Sequence, residues 1–275
     1  MEELLIYYGG EFVFIQLSKY HHIYYRREYT FQSHRRPVVR SCYGKRIVEG
    51  DCDMTRKYPE RVTASMIRVI HVNEVLLIRH STEIQFGDSK ELLGMVVMTN
   101  PGSFEFNRNP GWNAFKNGED SEDEFIATNS PDLTMRNIIK AIRSGYEGLP
   151  EPNGILRVYN LSNVRQPNGG KAEKYHKLAK EVLPTGRLHL LEDPITHSRE
   201  AFLDECNRSS FVIMGFVDKV FDEKMKQVID WSENIKHQRV CAVDNKGRLS
   251  HPRRWITEPY LMNKAIESLQ SVLRG

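Results

Sequence analysis

What the chain has little of narrows it first. Four cysteines in 275 residues (Cys42, Cys52, Cys206, Cys241) are few and scattered, and no pair has the CxxC spacing. That usage favours neither a disulfide framework nor a zinc site, and a reducing cytoplasm is the expected location. His21, His22 and His34 are further metal-capable residues near Cys42 and Cys52, but their spacings match no standard zinc pattern. No apolar run approaches the roughly 20 residues a membrane span needs. The start, Met1-Glu2-Glu3-Leu4, lacks the basic-then-apolar order of an export signal. Neither common Gly-rich phosphate loop is present, which disfavours nucleotide-dependent phosphoryl or hydride transfer. No Ser or Cys stands in a nucleophile elbow. A net charge of +3 implies no polyanionic partner by its sum alone.

What is present divides the chain in two. The first 80 or so residues mix aromatics with cations, as in Tyr20-His21-His22-Ile23-Tyr24-Tyr25-Arg26-Arg27 and His34-Arg35-Arg36. Val13-Phe14-Ile15, Val69–Val72 and Leu76-Leu77-Ile78 read as strands. Aromatics packing a β layer with Arg on its wet face explain this region; contact with nucleic acid explains it equally well. It is expected to be a β-rich extension over residues 1–90, packed on the core.

From about Leu92 strands and helices alternate. Strands are expected at Leu93–Met98, Ile155–Leu161, Arg187–Leu191, Phe211–Gly215 and Arg239–Val243. Ser130-Pro131-Asp132 starts a helix, with Ser as cap and Pro in the first turn, that runs from Leu133 to about Arg143. Ala172–Val182, Arg199–Asn207, Asp218–Asn234 and Pro259–Leu273 follow as helices. The acidic run Glu119–Glu124 reads as a solvated loop. Residues 91–275 are therefore expected to form an α/β domain, a three-layer α/β/α sandwich with a mostly parallel central sheet.

The strand ends carry the polar features. Asn100-Pro101-Gly102 follows the first strand, Asn160-Leu161-Ser162-Asn163 ends the second, and Gly215-Phe216 ends another. Ser250-His251-Pro252-Arg253-Arg254-Trp255 comes after the last. In a parallel sheet these ends share one crevice. An uncharged Asn there can hold a water, although Asn-Pro-Gly is also a common turn. Asn160 has an alternative role in capping the following loop, and His251 an alternative as a surface histidine. Neutral Asn with a His flanked by cations suits hydrolysis of a bond whose leaving group departs as an anion.

These residues resemble a known family. Met98-Thr99-Asn100-Pro101-Gly102 is similar to the first active-site motif, Gly-Ile-Asn-Pro-Gly, of the mismatch-specific and thymine branch of the uracil-DNA glycosylase superfamily. His251-Pro252 resembles the opening of that superfamily's His-Pro-Ser motif. Val158-Tyr159-Asn160-Leu161, with Arg165 and Pro167 beyond it, is similar to the strand bearing the base-reading Asn. Met95–Pro167 also resembles an uncharacterised bacterial domain family with an Asn-Pro-Ser turn, an Asp-Pro-Thr helix start (here Asp132-Leu133-Thr134) and an Asn-Leu strand end. Glycosylases of bacterial anti-phage defence that remove glucosylated hydroxymethylcytosine look like relatives of this kind. The resemblance spans roughly Leu92 to Trp255.

It implies a DNA glycosylase that flips a base, hydrolyses its N-glycosidic bond and needs no cofactor. Asn100 would hold the attacking water and His251 would steady the departing base or a backbone phosphate. Thr99, Pro101, Gly102 and Asn160 would contact substrate, Asn160 by reading the base edge. Phe104 or Phe106 would stack on the flipped base. Arg165, Arg253, Arg254 and Trp255 would contact DNA, Arg254 or Trp255 as a wedge. Duplex DNA is the implied partner, with no protein partner and no membrane. Met98 stands where the motif has Gly, and Arg253 where the second motif has Ser, so a larger modified base fits at least as well as uracil. Two other readings stay open: a nucleic-acid-binding module that lost catalysis, and a hydrolase of free nucleosides or nucleotides.

Overall fold

The computed structural model describes residues 58–275 apart from residue 73, together with the backbone of five strands within residues 1–57. The chain divides into two compact units, residues 1–57 and 58–275. In the first, β1 (Glu2–Tyr8), β2 (Glu11–Leu17) and β3 (Ile23–Thr30) form an antiparallel sheet in that order, and β4 (Val39–Arg40) pairs with β5 (Arg46–Ile47). His21, His22, His34, Cys42 and Cys52 lie outside the described residues.

The second unit begins with two strands that the sequence reading placed in the extension. β6 (Arg61–His71) and β7 (Glu74–Phe86) form a long hairpin. They are members of the central sheet, so the boundary lies after Lys57 and not near residue 90. β8 (Leu92–Met98), β9 (Glu124–Asn129), β10 (Gly154–Asn160), β11 (Val212–Gly215) and β12 (Arg239–Cys241) complete seven strands, in the order β12-β11-β8-β10-β7-β6-β9. β12, β11, β8 and β10 are parallel, whereas β7, β6 and β9 add on antiparallel. The sheet is thus mixed, with a parallel half that carries the strand ends of interest.

Helices cover both faces. α1 (Trp112–Asn117) is short; α2 (Leu133–Gly145) and α6 (Pro259–Arg274) pack on one face. α3 (Ala172–Val182), α4 (Arg199–Arg208) and α5 (Asp222–Ser232) lie on the other. The alternation within β8 shows the division: Val96 and Met98 join the first core, Met95 and Val97 the second. Both faces being covered explains why this strand reads as a continuous apolar run.

Several local expectations are corrected. Asp132, not Ser130, caps α2, because its Oδ1 reaches the Met135 N–H at 2.9 Å. The Ser130 N–H is taken instead by Asn129 Oδ1 at 2.8 Å. Thr185–Leu190 is a 3-10 segment where a strand was expected; it follows Pro184, and its apolar run is too short to fix a period. The stretch 103–129 contains α1 and the edge strand β9. The acidic run is not free of the core, since Asp120 receives the buried Arg68 guanidinium at 2.7 Å. No helix among the described residues is long and apolar enough to cross a membrane.

Candidate active site

Four parallel strands in chain order β8, β10, β11, β12 sit in the spatial order second-first-third-fourth. The connection from β8 to β10 carries α2 over one face, and the connection from β10 back to β11 carries α3 and α4 over the other. The chain therefore leaves β8 and β11 in opposite directions, and a crevice opens between their carboxyl ends. A cavity of about 560 Å³ lies there, bordered by Asn100, Gly102, Phe216, Arg248, His251 and Arg253. Its size is that of a small-molecule site.

Asn100 is 6% exposed, and its side-chain amide donates to the carbonyls of Pro101 at 2.9 Å and Gln166 at 2.8 Å. Two carbonyl partners can be met only by the amide nitrogen, so the orientation of the group is fixed. Its oxygen is the atom left for a ligand. Asn100 thus accepts; it has no spare donor, contrary to the simplest reading of an Asn that does both. Thr99 is fully buried, and its hydroxyl accepts the Val217 N–H at 2.7 Å, which ties the loop after β11 to the end of β8. Pro101 is buried and Gly102 borders the cavity.

His251 is positioned from several sides. Ser250 bridges Phe216 in parallel, extending the β11 ladder. Asn137 of α2 donates to the Pro252 carbonyl at 2.9 Å, and the Trp255 indole donates to Ser250 Oγ at 2.9 Å. Gly215 permits the close approach: a Cβ there would lie 2.7 Å from both Pro252 Cδ and the Ser250 carbonyl oxygen. His251 Nδ1 accepts the Arg253 N–H at 3.2 Å, so the ring proton sits on Nε2. Burial pushes its pKa down to about 4, opposed by the Asp132 carboxylate and reinforced by Arg253. At neutral pH His251 is therefore an uncharged donor.

Cations line the rim. Arg248 and Arg254 share the Asp244 carboxylate at 2.8 and 3.1 Å, and Arg254 also grips Glu258 at 2.7 Å. Their hydrogen bonds, Arg248 first, hold Asp244 far below the usual carboxylate range. Arg253 is exposed and its guanidinium is not engaged among the described residues.

Other expected site residues lie elsewhere. Phe104 and Phe106 are 2% and 0% exposed, stacked edge-on in an aromatic cluster with Trp112 and Phe125, so neither can stack on a ligand. Trp255 is 1% exposed and belongs to the core, which removes it as a wedge. Arg165 is spent inside the protein, bonded to the Phe104 and Ser103 carbonyls and to Glu105 at 2.6 Å. Asn160 is 1% exposed and does not border the cavity; its backbone N–H donates to Asp193 Oδ2 at 2.7 Å, and its own Oδ1 has no partner. Asp193 is deeply buried, and desolvation raises its carboxyl to about 6 despite the Asn160 and Asn163 donors.

The sequence reading placed Gly215-Phe216 in this crevice, where Phe216 lies, but missed Arg79, Asp132 and Arg248 as neighbours of Asn100 and His251. An Arg directly after the apolar run Leu76–Ile78, within the same strand, was the signal for Arg79. It also missed a second polar cluster, in which Ser162 Oγ meets His176 Nδ1 at 2.9 Å and His176 Nε2 meets Glu192 at 3.1 Å. His197 at 2.9 Å and Lys224 complete the surroundings of Glu192, whose pKa falls to about 2 as these partners outweigh its burial. Among the described residues no cluster of His, Cys, Asp and Glu is arranged to hold a metal ion. Comparison of the chain with protein-family models, curated proteins and solved structures finds no match.

Proposed function

We propose that the chain is a DNA glycosylase that draws a base into the crevice between β8 and β11 and hydrolyses its N-glycosidic bond, leaving an abasic site. The observation that carries this reading is the Asn100 amide, locked so that its oxygen alone remains to orient a water at a strand end. The resemblance to the uracil-DNA glycosylase superfamily supplies the reaction class. In the proposed step the water oxygen bonds to the anomeric carbon and gives up a proton, and the C–N bond breaks with its electron pair leaving on the base, which solvent then protonates. The neutral His251 Nε2–H donates to the base as negative charge develops there. Arg248, Arg253 and Arg254 border the cavity, and Arg253, whose guanidinium is not engaged among the described residues, would be the one to meet a strand phosphate. A cavity of about 560 Å³ has room for a base with a sugar attached, so a glucosylated hydroxymethylcytosine would fit as well as plain uracil. Phe216 borders the cavity, unlike Phe104 and Phe106, but it is packed in the second core and would bound a base without offering a free face to stack on.

The burial of Asn160, Phe104, Phe106 and Trp255 favours a second reading, a nucleic-acid-binding module of the same fold without catalysis. One assay separates the two. The purified chain is incubated with duplexes carrying normal bases, uracil, mismatched thymine or glucosylated hydroxymethylcytosine, and abasic sites are counted. Abasic sites with a modified base support the glycosylase; tight duplex binding with none supports the module. Base release from free nucleosides with no preference for polymer replaces both with a nucleoside hydrolase.

A further inference from the structure

Adjoining the main cavity is a much smaller one of about 10 Å³, lined by Arg79, Asn100, Asp132, Thr134 and His251 among others. That is about the space one water molecule occupies, and polar side chains from several segments reach its lining beside Met98 and Met135. Arg79 reaches it from β7. The residue is 1% exposed, its guanidinium packs 5.4 Å from the Phe104 ring centroid, and its Nε and Nη1 have no hydrogen-bond partner. A buried guanidinium with free N–H groups is costly unless an acceptor meets it.

Asp132 stands across the cavity with its two oxygens differently employed. Oδ1 is spent on the α2 cap, bonded to the Met135 N–H at 2.9 Å. Oδ2 makes no hydrogen bond among the described residues and faces the Asn100-Pro101-Gly102 turn. A Cβ placed on Gly102 would lie 3.9 Å from Oδ2, with no nearer neighbour. The charged and titratable groups that feel Asp132 come from three other segments: Arg79 of β7, Arg165 after β10 and His251 after β12. The cavity therefore gathers in one lining a donor, Arg79, a carboxylate with an unemployed oxygen, Asp132, and the locked Asn100 amide.

We propose that this small cavity seats a single water between Arg79 and Asp132, and that Asp132 Oδ2 takes a proton from it as it attacks the anomeric carbon. The proposal rests on the glycosylase reading and adds a general base to it. In the step, the water oxygen accepts from Arg79 and donates to Asp132 and Asn100. Its lone pair forms the new C–O bond, one proton passes to Asp132, and the C–N electron pair leaves with the base. Solvent protonates the released base and reclaims the proton from Asp132.

The test uses Asp132→Asn, since Asn caps a helix as well as Asp does and the fold is kept. Base release is followed in single turnover on the substrate that the wild type cleaves. The expected result is a loss of about 100-fold or more with duplex affinity unchanged, and disappearance of the acid limb of the pH–rate profile. A loss of less than about tenfold, or an unchanged pH profile, overturns Asp132 as base. A crystal structure that resolves waters is the independent arm. A water within roughly 3.2 Å of Arg79 and Asp132 Oδ2 is expected, and its absence overturns the seat. A wild type that releases no base from any duplex refutes the glycosylase reading and the catalytic role together, and the crystallographic arm then decides the seat alone.

Discussion

Two polar clusters in the second unit use similar residue types to opposite ends. The Ser162–His176–Glu192 chain has the contact order of a nucleophile, a base and an orienting acid. Yet Ser162 has no exposed surface, and the charges around Glu192 compensate one another. The Asn100–His251 corner has no such relay. It offers a fixed acceptor and a neutral donor beside the main cavity, and a guanidinium with unmet N–H groups in the small cavity adjoining it. A closed set of partners stabilises; an incomplete set beside a cavity awaits a ligand. Glu192 and Asp193 show the same contrast between adjacent residues. Ion pairing drives the first to about 2, while burial lifts the second to about 6.

The comparison breaks most sharply at Asn100 and Ser162. Asn100→Ala is expected to lower base release by about 100-fold or more, because the group that orients the water is lost. Ser162→Ala is expected to leave the rate unchanged and to cost about 1–3 kcal/mol of stability, since a buried imidazole nitrogen loses its partner. Rates and urea denaturation measured on the two variants side by side decide this. A Ser162→Ala enzyme with normal stability and no activity would invert the assignment of the clusters.

Glu192 gives an effect of intermediate size. Its folded pKa is depressed, so its contribution to stability is present above the unfolded value of about 4.5 and is lost as pH falls towards about 2. Glu192→Gln should flatten that part of the stability–pH curve and leave base release untouched. Asp193 runs the other way. Its contribution is fully present below about 3.8 and is lost as pH rises through about 6, so Asp193→Asn should remove a decline across that window. Thermal melts from pH 2 to about 7 would show both slopes.

The smallest expected effect is at the rim. Arg253→Ala should weaken duplex binding alike for every sequence and lower the salt slope of the binding constant by about 1, with a several-fold loss in overall efficiency and little change in the chemical step. Sequence-dependent weakening would make Arg253 a reader of bases.

The corner built on Asn100 and His251 was legible because a buried parallel strand and an Asn-Pro-Gly turn are local signals. Strand ends converge by topology, so distant residues met as expected. The orientation of aromatics was not legible: Phe104, Phe106 and Trp255 read as surface tools only because no local signal marks the side they face. Arg165 failed for the same reason, as its partners lie about 60 residues away in Ser103, Phe104 and Glu105. Asp132 was hidden by its neighbours, since Ser130, Pro131 and Asp132 all favour a helix start and only geometry chooses among them. The β6–β7 hairpin was assigned to the wrong unit because a hairpin carries no mark of the sheet it joins.

The strand order also sets when the site comes into being. The hairpin of β6 and β7 closes between His71 and Glu74, neighbours in the chain, and can zip early. The pairing of Met98 with Gly215 and the bond from Val217 to Thr99 close loops of more than 100 residues. Such pairings form late, after the entropy of a long loop has been overcome. A growing chain therefore displays its Asn100 turn well before His251 has been synthesised, and the corner that the two residues share is assembled only near the end of folding.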